Sequence, residues 1–202
     1  MTNLELVNNG LVPQYINEIQ AAKVADDIQP RELIDMLKHD DRIEYKEINP
    51  NNYEINTLSL LNYLDDFHEH CVALREQQFR HYLMVMKQLD KDPRLFLTTT
   101  LDEFGNDSKT KQMDNKELVK NGLIDEYITV KTAAPLVAGR NVESVNRLIE
   151  NNAIQTKKND SGDYEVNTLS LLKLEKASNT LFSKELKQER IKSLKKLKKE
   201  KV

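Results

Sequence analysis

Tyr53-Glu54-Ile55-Asn56-Thr57-Leu58-Ser59-Leu60-Leu61 returns as Tyr164-Glu165-Val166-Asn167-Thr168-Leu169-Ser170-Leu171-Leu172, with Val for Ile as its one change. Further upstream, Glu5-Leu6-Val7-Asn8-Asn9-Gly10-Leu11-Val12 returns as Glu117-Leu118-Val119-Lys120-Asn121-Gly122-Leu123-Ile124. Tyr15-Ile16 returns as Tyr127-Ile128, and Ala21-Ala22 as Ala133-Ala134. The offset is 112 residues early and 111 late, so one residue has been lost between Leu37 and Ile43. Blocks that keep order and register mark a duplication. Two copies are too few for a solenoid, so the expected arrangement is a duplicated domain with a pseudo-twofold axis.

Each copy reads as helix, tight turn, helix, hairpin, helix. In the second copy, Thr129 is an N-cap for a short helix over Val130 to Val137, and Ala138-Gly139 breaks it. Asn141 caps a second helix, Val142 to about Asn151, with Val145, Leu148 and Ile149 on one apolar face. Ile154 to Thr156, the turn residues Asn159-Asp160-Ser161-Gly162 and the alternating Tyr164-Glu165-Val166 read as a polar hairpin. Asn167 or Thr168 caps a third helix carrying Leu169, Leu171, Leu172 and Leu174. In the first copy, Ile16 to Ala25 covers the first helix and Asp27-Ile28-Gln29 the turn. Pro30 stands at the first position of the second helix, where its missing N–H is harmless. Leu33, Met36 and Leu37 face the core. Ile43 to Tyr45, Asn49-Pro50-Asn51-Asn52 and Tyr53 to Ile55 form the hairpin.

Between the copies, Leu60 to Leu89 reads as a long amphipathic helix. Leu95 to Leu101 reads as a strand, and Gly105 to Ser108 as a loop. The expected division is 1–64 for repeat one, 65–112 for a helical connector with a short strand, 113–176 for repeat two, and 177–202 for a basic amphipathic tail. Net charges are −6, −2, −1 and +6 in that order. The tail sets Leu186, Ile191, Leu194 and Leu197 among nine basic residues. Such a helix suits a membrane surface, DNA or a partner groove, or serves as a mobile arm.

Composition narrows the function classes. No run approaches the ~18 apolar residues of a membrane span, and Met1 to Gly10 lack the pattern of a signal peptide. Cys71 is the only cysteine, which excludes an intramolecular disulfide. A cytoplasmic protein is expected. His68, His70, Cys71 and His81 lack the spacing of converging zinc ligands. There is no glycine-rich phosphate loop and no Gly-x-Ser-x-Gly elbow. Neither an enzyme nor a cofactor-dependent protein is expected.

The series Ile128-Thr129-Val130, Ala133-Ala134, Val142, Val145, Leu148-Ile149, Ile154, Tyr164-Glu165-Val166 and Leu171-Leu172 resembles the MerR and excisionase families of winged helix-turn-helix domains, over about 45 residues of each copy. The duplication with a basic tail is similar to the TraN-type DNA-binding accessory proteins of Gram-positive conjugative plasmids (type IV secretion). The resemblance implies a mainly α fold with small β-hairpin wings, as two tandem domains forming an internal pseudo-dimer. It implies a monomer that binds double-stranded DNA near transfer genes, with other transfer or regulatory proteins as further partners. The second helix of each copy would enter the major groove and the hairpin would touch the backbone. In repeat two this assigns Asn141, Ser144, Asn146 and Arg147 to the groove, with Asn146 and Arg147 on bases, Arg140 on a phosphate, and Lys157 and Lys158 on the wing. In repeat one the equivalents are Gln29, Arg31 and Lys38, with Arg42 and Lys46 in the wing.

Three features depart from the families. Pro135 lies inside the first helix of repeat two, where it shortens or kinks it. Asp26, Asp27, Glu32 and Asp35 surround the turn and second helix of repeat one, where carboxylates repel phosphates. No MerR-type effector domain follows either copy. Two other readings therefore stay open: a protein-interaction scaffold that kept the fold and lost DNA, and an excisionase-like recombination directionality factor. The bland reading of Tyr53 and Tyr164 is packing of the wing onto the core.

Overall fold

Thr2, Asn17 and Asp114 each open a helix by accepting a hydrogen bond from the third helical N–H, and Glu5, Gln20 and Glu117 reach back to the cap. These reciprocal boxes fix where the chain turns helical. The computed structural model describes residues 1–25, 28–50, 52–91 and 112–200. Among them the first copy comprises α1 (Asn3–Asn8), β1 (Tyr15–Asn17), α2 (Glu18–Val24), α3 (Pro30–His39), β2 (Tyr45–Asn49), β3 (Asn52–Asn56) and α4 (Thr57–Lys91). The second comprises α5 (Asn115–Lys120), β4 (Tyr127–Thr129), α6 (Val130–Ala133) with a 3-10 turn (Ala134–Leu136), α7 (Val142–Glu150), β5 (Thr156–Lys158), β6 (Tyr164–Asn167) and α8 (Thr168–Glu200). The protein is mainly helical with two small antiparallel sheets.

Each sheet has three strands, in the orders β1-β3-β2 and β4-β6-β5. The hairpin expected from the sequence is therefore joined by a third strand. Tyr15, Ile16 and Asn17 pair with Asn56, Ile55 and Glu54, and Tyr127, Ile128 and Thr129 with Asn167, Val166 and Glu165. The first helix of the first copy consequently starts at Glu18 rather than at Ile16, because Ile16 is buried in the sheet. Hairpin strands also begin later than expected, at Tyr45 and Thr156, with Ile43 and Ile154 buried just ahead of them. The first wing is the longer, with a register shift between Glu47 and Asn49.

Pro135 acts as the sequence implies. The α-helical turns of α6 stop at Ala133 and the chain tightens into a 3-10 turn through Pro135, since proline cannot donate to the carbonyl four residues back. The long connector helix runs Thr57–Lys91. The strand expected over Leu95 to Leu101, the loop over Gly105 to Ser108, and Asp26 and Asp27 lie outside the described residues.

The chain divides into two compact units, one of Met1–Cys71 with Leu181–Val202, the other of Val72–Thr180. The boundaries thus cut through α4 and α8 and not at the ends of the repeats. In the first unit Leu6, Ile16, Leu33, Ile43, Ile55, Leu60 and Leu61 form the core. Leu194 is fully buried among them, and Ile191 and Leu197 pack alongside. The expected separate tail is therefore a correction: residues 177–200 continue α8, and the face carrying Ile191, Leu194 and Leu197 packs into this core. The second unit is built alike. Leu118, Ile124, Leu136, Val145, Val166 and Leu171 form its core with Leu83 and Met84, and Phe79 and Tyr82 pack against it. Leu83 and Leu194 stand at the 111-residue offset, so the duplication extends along both long helices. Each such leucine contributes roughly 1.5–3 kcal/mol through burial. No helix among the described residues is long and apolar enough to cross a membrane.

Candidate nucleic-acid interface

The turn before α7 is tightly specified. Gly139 has φ +92°, and a Cβ there would lie 2.5 Å from Ser144 Oγ. Arg140 follows at φ +49°, a rare conformation for a residue with a side chain. Asn141 Oδ1 then accepts from Ser144 N–H at 2.8 Å, while its Nδ2 donates to the Gly139 carbonyl at 3.0 Å. Both functional groups of Asn141 are engaged in holding the turn. Ser144 is half-buried beside it. These two residues shape the entry to α7.

Val145 is buried, and Leu148 and Ile149 pack on the same core. The helical period then places Glu143, Asn146, Arg147 and Glu150 outward, all exposed. Arg147 Nη2 lies 2.6 Å from Glu143 Oε1 one turn earlier. Both groups are about 70% exposed, so the pair is weak and easily exchanged for another anion. Asn146 and Arg140 are exposed as expected.

The wing lysines have intramolecular partners. Lys157 Nζ sits 4.2 Å from the centre of the Tyr127 ring and 3.2 Å from Glu165 Oε2. Lys46 Nζ sits 5.1 Å from the centre of the Tyr15 ring. These two lysines, and these two tyrosines, occupy equivalent positions in the copies. Each lysine is steered by a ring from the third strand, an attraction between cation and aromatic face. Tyr15, Tyr127 and Glu165 are not among the residues the sequence points to for the site. The recurrence of Tyr-Ile with a lysine further along at both offsets was the available signal. Lys158 Nζ lies 5.2 Å from the centre of the Tyr164 ring. Tyr164 is 46% exposed whereas Tyr53 is 3% exposed, so packing of the wing onto the core holds for Tyr53 alone.

In the first copy Gln29, Arg31 and Lys38 are exposed on or beside α3, with Glu32 and Asp35 among them. Arg42 precedes the wing instead of lying in it. Its guanidinium binds Asp40 through two bonds of 2.8 and 2.6 Å and covers the Tyr63 ring at 4.7 Å. The Arg42 hydrogen bonds pull the Asp40 carboxyl down to about 2. Along α8, Lys192, Lys195, Lys196 and Lys199 are exposed on the side away from Leu194.

Two carboxylates of the second unit depart from ordinary behaviour. Burial pushes Glu175 up, against the opposing effects of Arg75 at 3.8 Å and the Ala138 N–H. Burial also pushes Glu76 up, but the Lys176 hydrogen bond and the charges of Arg80 and Lys176 outweigh it and leave Glu76 below its usual range. No group of three metal-ligating side chains occurs among the described residues. No family model, curated protein or solved structure matches the chain.

Proposed function

We propose that the chain binds double-stranded DNA through two winged helix-turn-helix units fused as an internal dimer, with the second copy as the principal reader. The observation that carries this is the exposed face of α7. Asn146 and Arg147 project from a helix held by the Gly139–Asn141 turn, with the β5–β6 hairpin next in the chain. Arg pairs with guanine O6 and N7, and Asn with adenine N6 and N7. A hairpin carrying Lys157 and Lys158 suits the adjacent backbone, as wings do in such domains. The likeness to MerR, excisionase and TraN-type proteins supports an accessory or regulatory role in conjugative DNA transfer, exercised by occupying or bending the site. Nothing in this role calls for catalysis.

The test is fluorescence anisotropy of the full chain with a labelled random-sequence duplex, titrated at several salt concentrations. Salt-sensitive binding is expected, because each neutralised phosphate releases counterions. Asn146→Ala and Arg147→Ala should weaken it, and Arg31→Ala should leave it nearly intact. Truncating the tail is unsuitable, since it would remove Leu194 from the first core. Replacing Lys192, Lys195 and Lys199 by Gln isolates the basic face of α8 instead. Absence of binding at low salt would overturn the reading. That outcome would favour the scaffold, which the acidic groups of α3 and the Arg147–Glu143 pair already suit.

A further inference from the structure

The two long helices carry opposite charges at positions that face one another. In the first unit Lys187 of α8 pairs with Asp65 of α4. In the second unit Lys176 of α8 pairs with Glu76 of α4 at 3.1 Å. At the 111-residue offset, Asp65 is equivalent to Lys176 and Glu76 to Lys187. The same pair of positions is therefore bridged in both units, with reversed polarity. α4 supplies the acid both times and α8 the base both times.

We infer that this pattern makes the halves an obligate hetero-pair: α4 accepts α8 as its partner and rejects a second α4, while α8 rejects a second α8. The partner chemistry follows from the equivalences. If α4 paired with another α4 in the same manner, Asp65 would face the other copy's Glu76. Two α8 helices would set Lys176 against Lys187. Each unwanted pairing contains its like-charge contact twice, and each intended pairing contains none. This is specificity by repulsion more than by attraction, the use to which flanking charges are put in coiled coils.

A second contact points the same way. Glu175 is buried, with Arg75 as its ion-pair partner. The equivalent positions in the first unit are Leu64 and Leu186. Self-pairing of α8 would place Glu175 opposite Leu186, a buried carboxylate deprived of its counter-charge. Self-pairing of α4 would place Arg75 opposite Leu64. Every molecule is thereby fixed to one unit of each kind, whatever the units bind.

The inference is tested with the full chain carrying one inserted protease site between Lys91 and Gln112. After cleavage the sample is unfolded, refolded and weighed by native mass spectrometry. The expected product is the one-to-one pair of fragments, exceeding either homodimer at least about tenfold. A second chain, Arg75→Leu, Glu76→Lys, Glu175→Leu and Lys176→Glu, gives both units the first unit's pattern and makes each helix self-complementary. Homodimers are expected to appear there, raised at least about tenfold over the wild-type chain. Homodimers in comparable amount from the wild-type chain would overturn the inference, as would a purely mixed product from the altered one. Melting of the uncut chain covers the case in which cut fragments do not refold. Asp65→Lys with Glu76→Lys should lower Tm, and adding Lys176→Glu with Lys187→Glu should restore it. Failure of the fourfold chain to regain Tm would also overturn the inference.

Discussion

The second helices of the two copies differ most where they face outward. Leu33 and Leu37 of α3 stand at the places of Val145 and Ile149 in α7, and all four contribute to their cores. Asp35 stands at the place of Arg147, and Ile34 at that of Asn146. Core positions were held by packing, which penalises even one misplaced methylene. Outward positions were free to acquire different charge and hydrogen-bonding capacity. A duplication of this kind keeps one scaffold and lets two surfaces separate. The same comparison at the long helices finds Leu64 in one unit and buried Glu175 in the other.

That last difference gives the largest expected effect. Leu64→Glu places a carboxylate in an apolar core with no arginine at the equivalent of Arg75, where Leu186 stands. A loss of about 3–5 kcal/mol is expected, the range for an uncompensated buried charge, read as a lower denaturant midpoint. The reverse change, Glu175→Leu, should be neutral or stabilising at neutral pH. Arg75 is about 39% exposed and retains water when its partner is removed. The pH dependence follows. The folded pKa of Glu175 lies above its ordinary value, so its favourable contribution is present in acid and is lost as pH rises through the folded pKa. Glu175→Leu removes that loss. Glu76 has the opposite sign, and its contribution fades as pH falls through its lowered pKa. Melting temperature against pH for the wild-type, Glu175→Leu and Glu76→Gln chains checks both signs.

Next in size is Leu194→Ala, set beside Leu83→Ala. Each removes a fully buried leucine at the same position of its unit, at about 2–5 kcal/mol. Near-equal losses would make the units energetically alike. A loss near zero for Leu194→Ala would return the end of the chain to the status of a free arm.

Much of this architecture was legible in the sequence. The duplication, the caps at Thr129 and Asn141, the break at Gly139 and the proline at the start of α3 all have local chemical causes, and they fall as expected. Tyr15–Asn17 and Tyr127–Thr129 carry no strand signal in the sequence. Three residues with one buried carry no period to detect. Burial of Leu194 was hidden for another reason. Its core companions, such as Leu6 and Leu60, lie over a hundred residues away, and no local pattern encodes such a contact. The offset holds a clue, because Leu83 and Leu194 are equivalent and Leu83 lies within the stretch that reads as a long amphipathic helix. At the candidate site, the exposure of Asn146 and Arg147 followed from helical periodicity. Engagement of Asn141, Arg42 and Lys157 by their own neighbours did not, since it depends on where strands and turns bring side chains together.

DNA affinity should separate the copies at a smaller scale. If α7 is the reader, Arg147→Ala costs about 1–3 kcal/mol of binding to its preferred site. Asp35→Ala should leave binding equal or slightly improved, since it removes a negative charge. Equal losses from Arg31→Ala and Arg147→Ala would restore the picture of two working readers, and both are measured by the anisotropy titration.

The wings set the smallest effects against one another. Lys157 has a carboxylate and a ring as partners, whereas among the described residues Lys158 has only the exposed Tyr164 ring. A lysine already half neutralised by Glu165 releases less counterion on meeting a phosphate. Lys158→Gln should therefore reduce the slope of log affinity against log salt by about 1, and Lys157→Gln by less. Glu165→Gln sharpens the comparison, because it frees Lys157 without adding a charge of its own, and it should steepen the slope. Should Lys157→Gln instead give the larger change, the Tyr127 ring aims that ammonium at the backbone, and the equivalent Lys46–Tyr15 pair becomes the first place to look for a phosphate contact in the acidic copy.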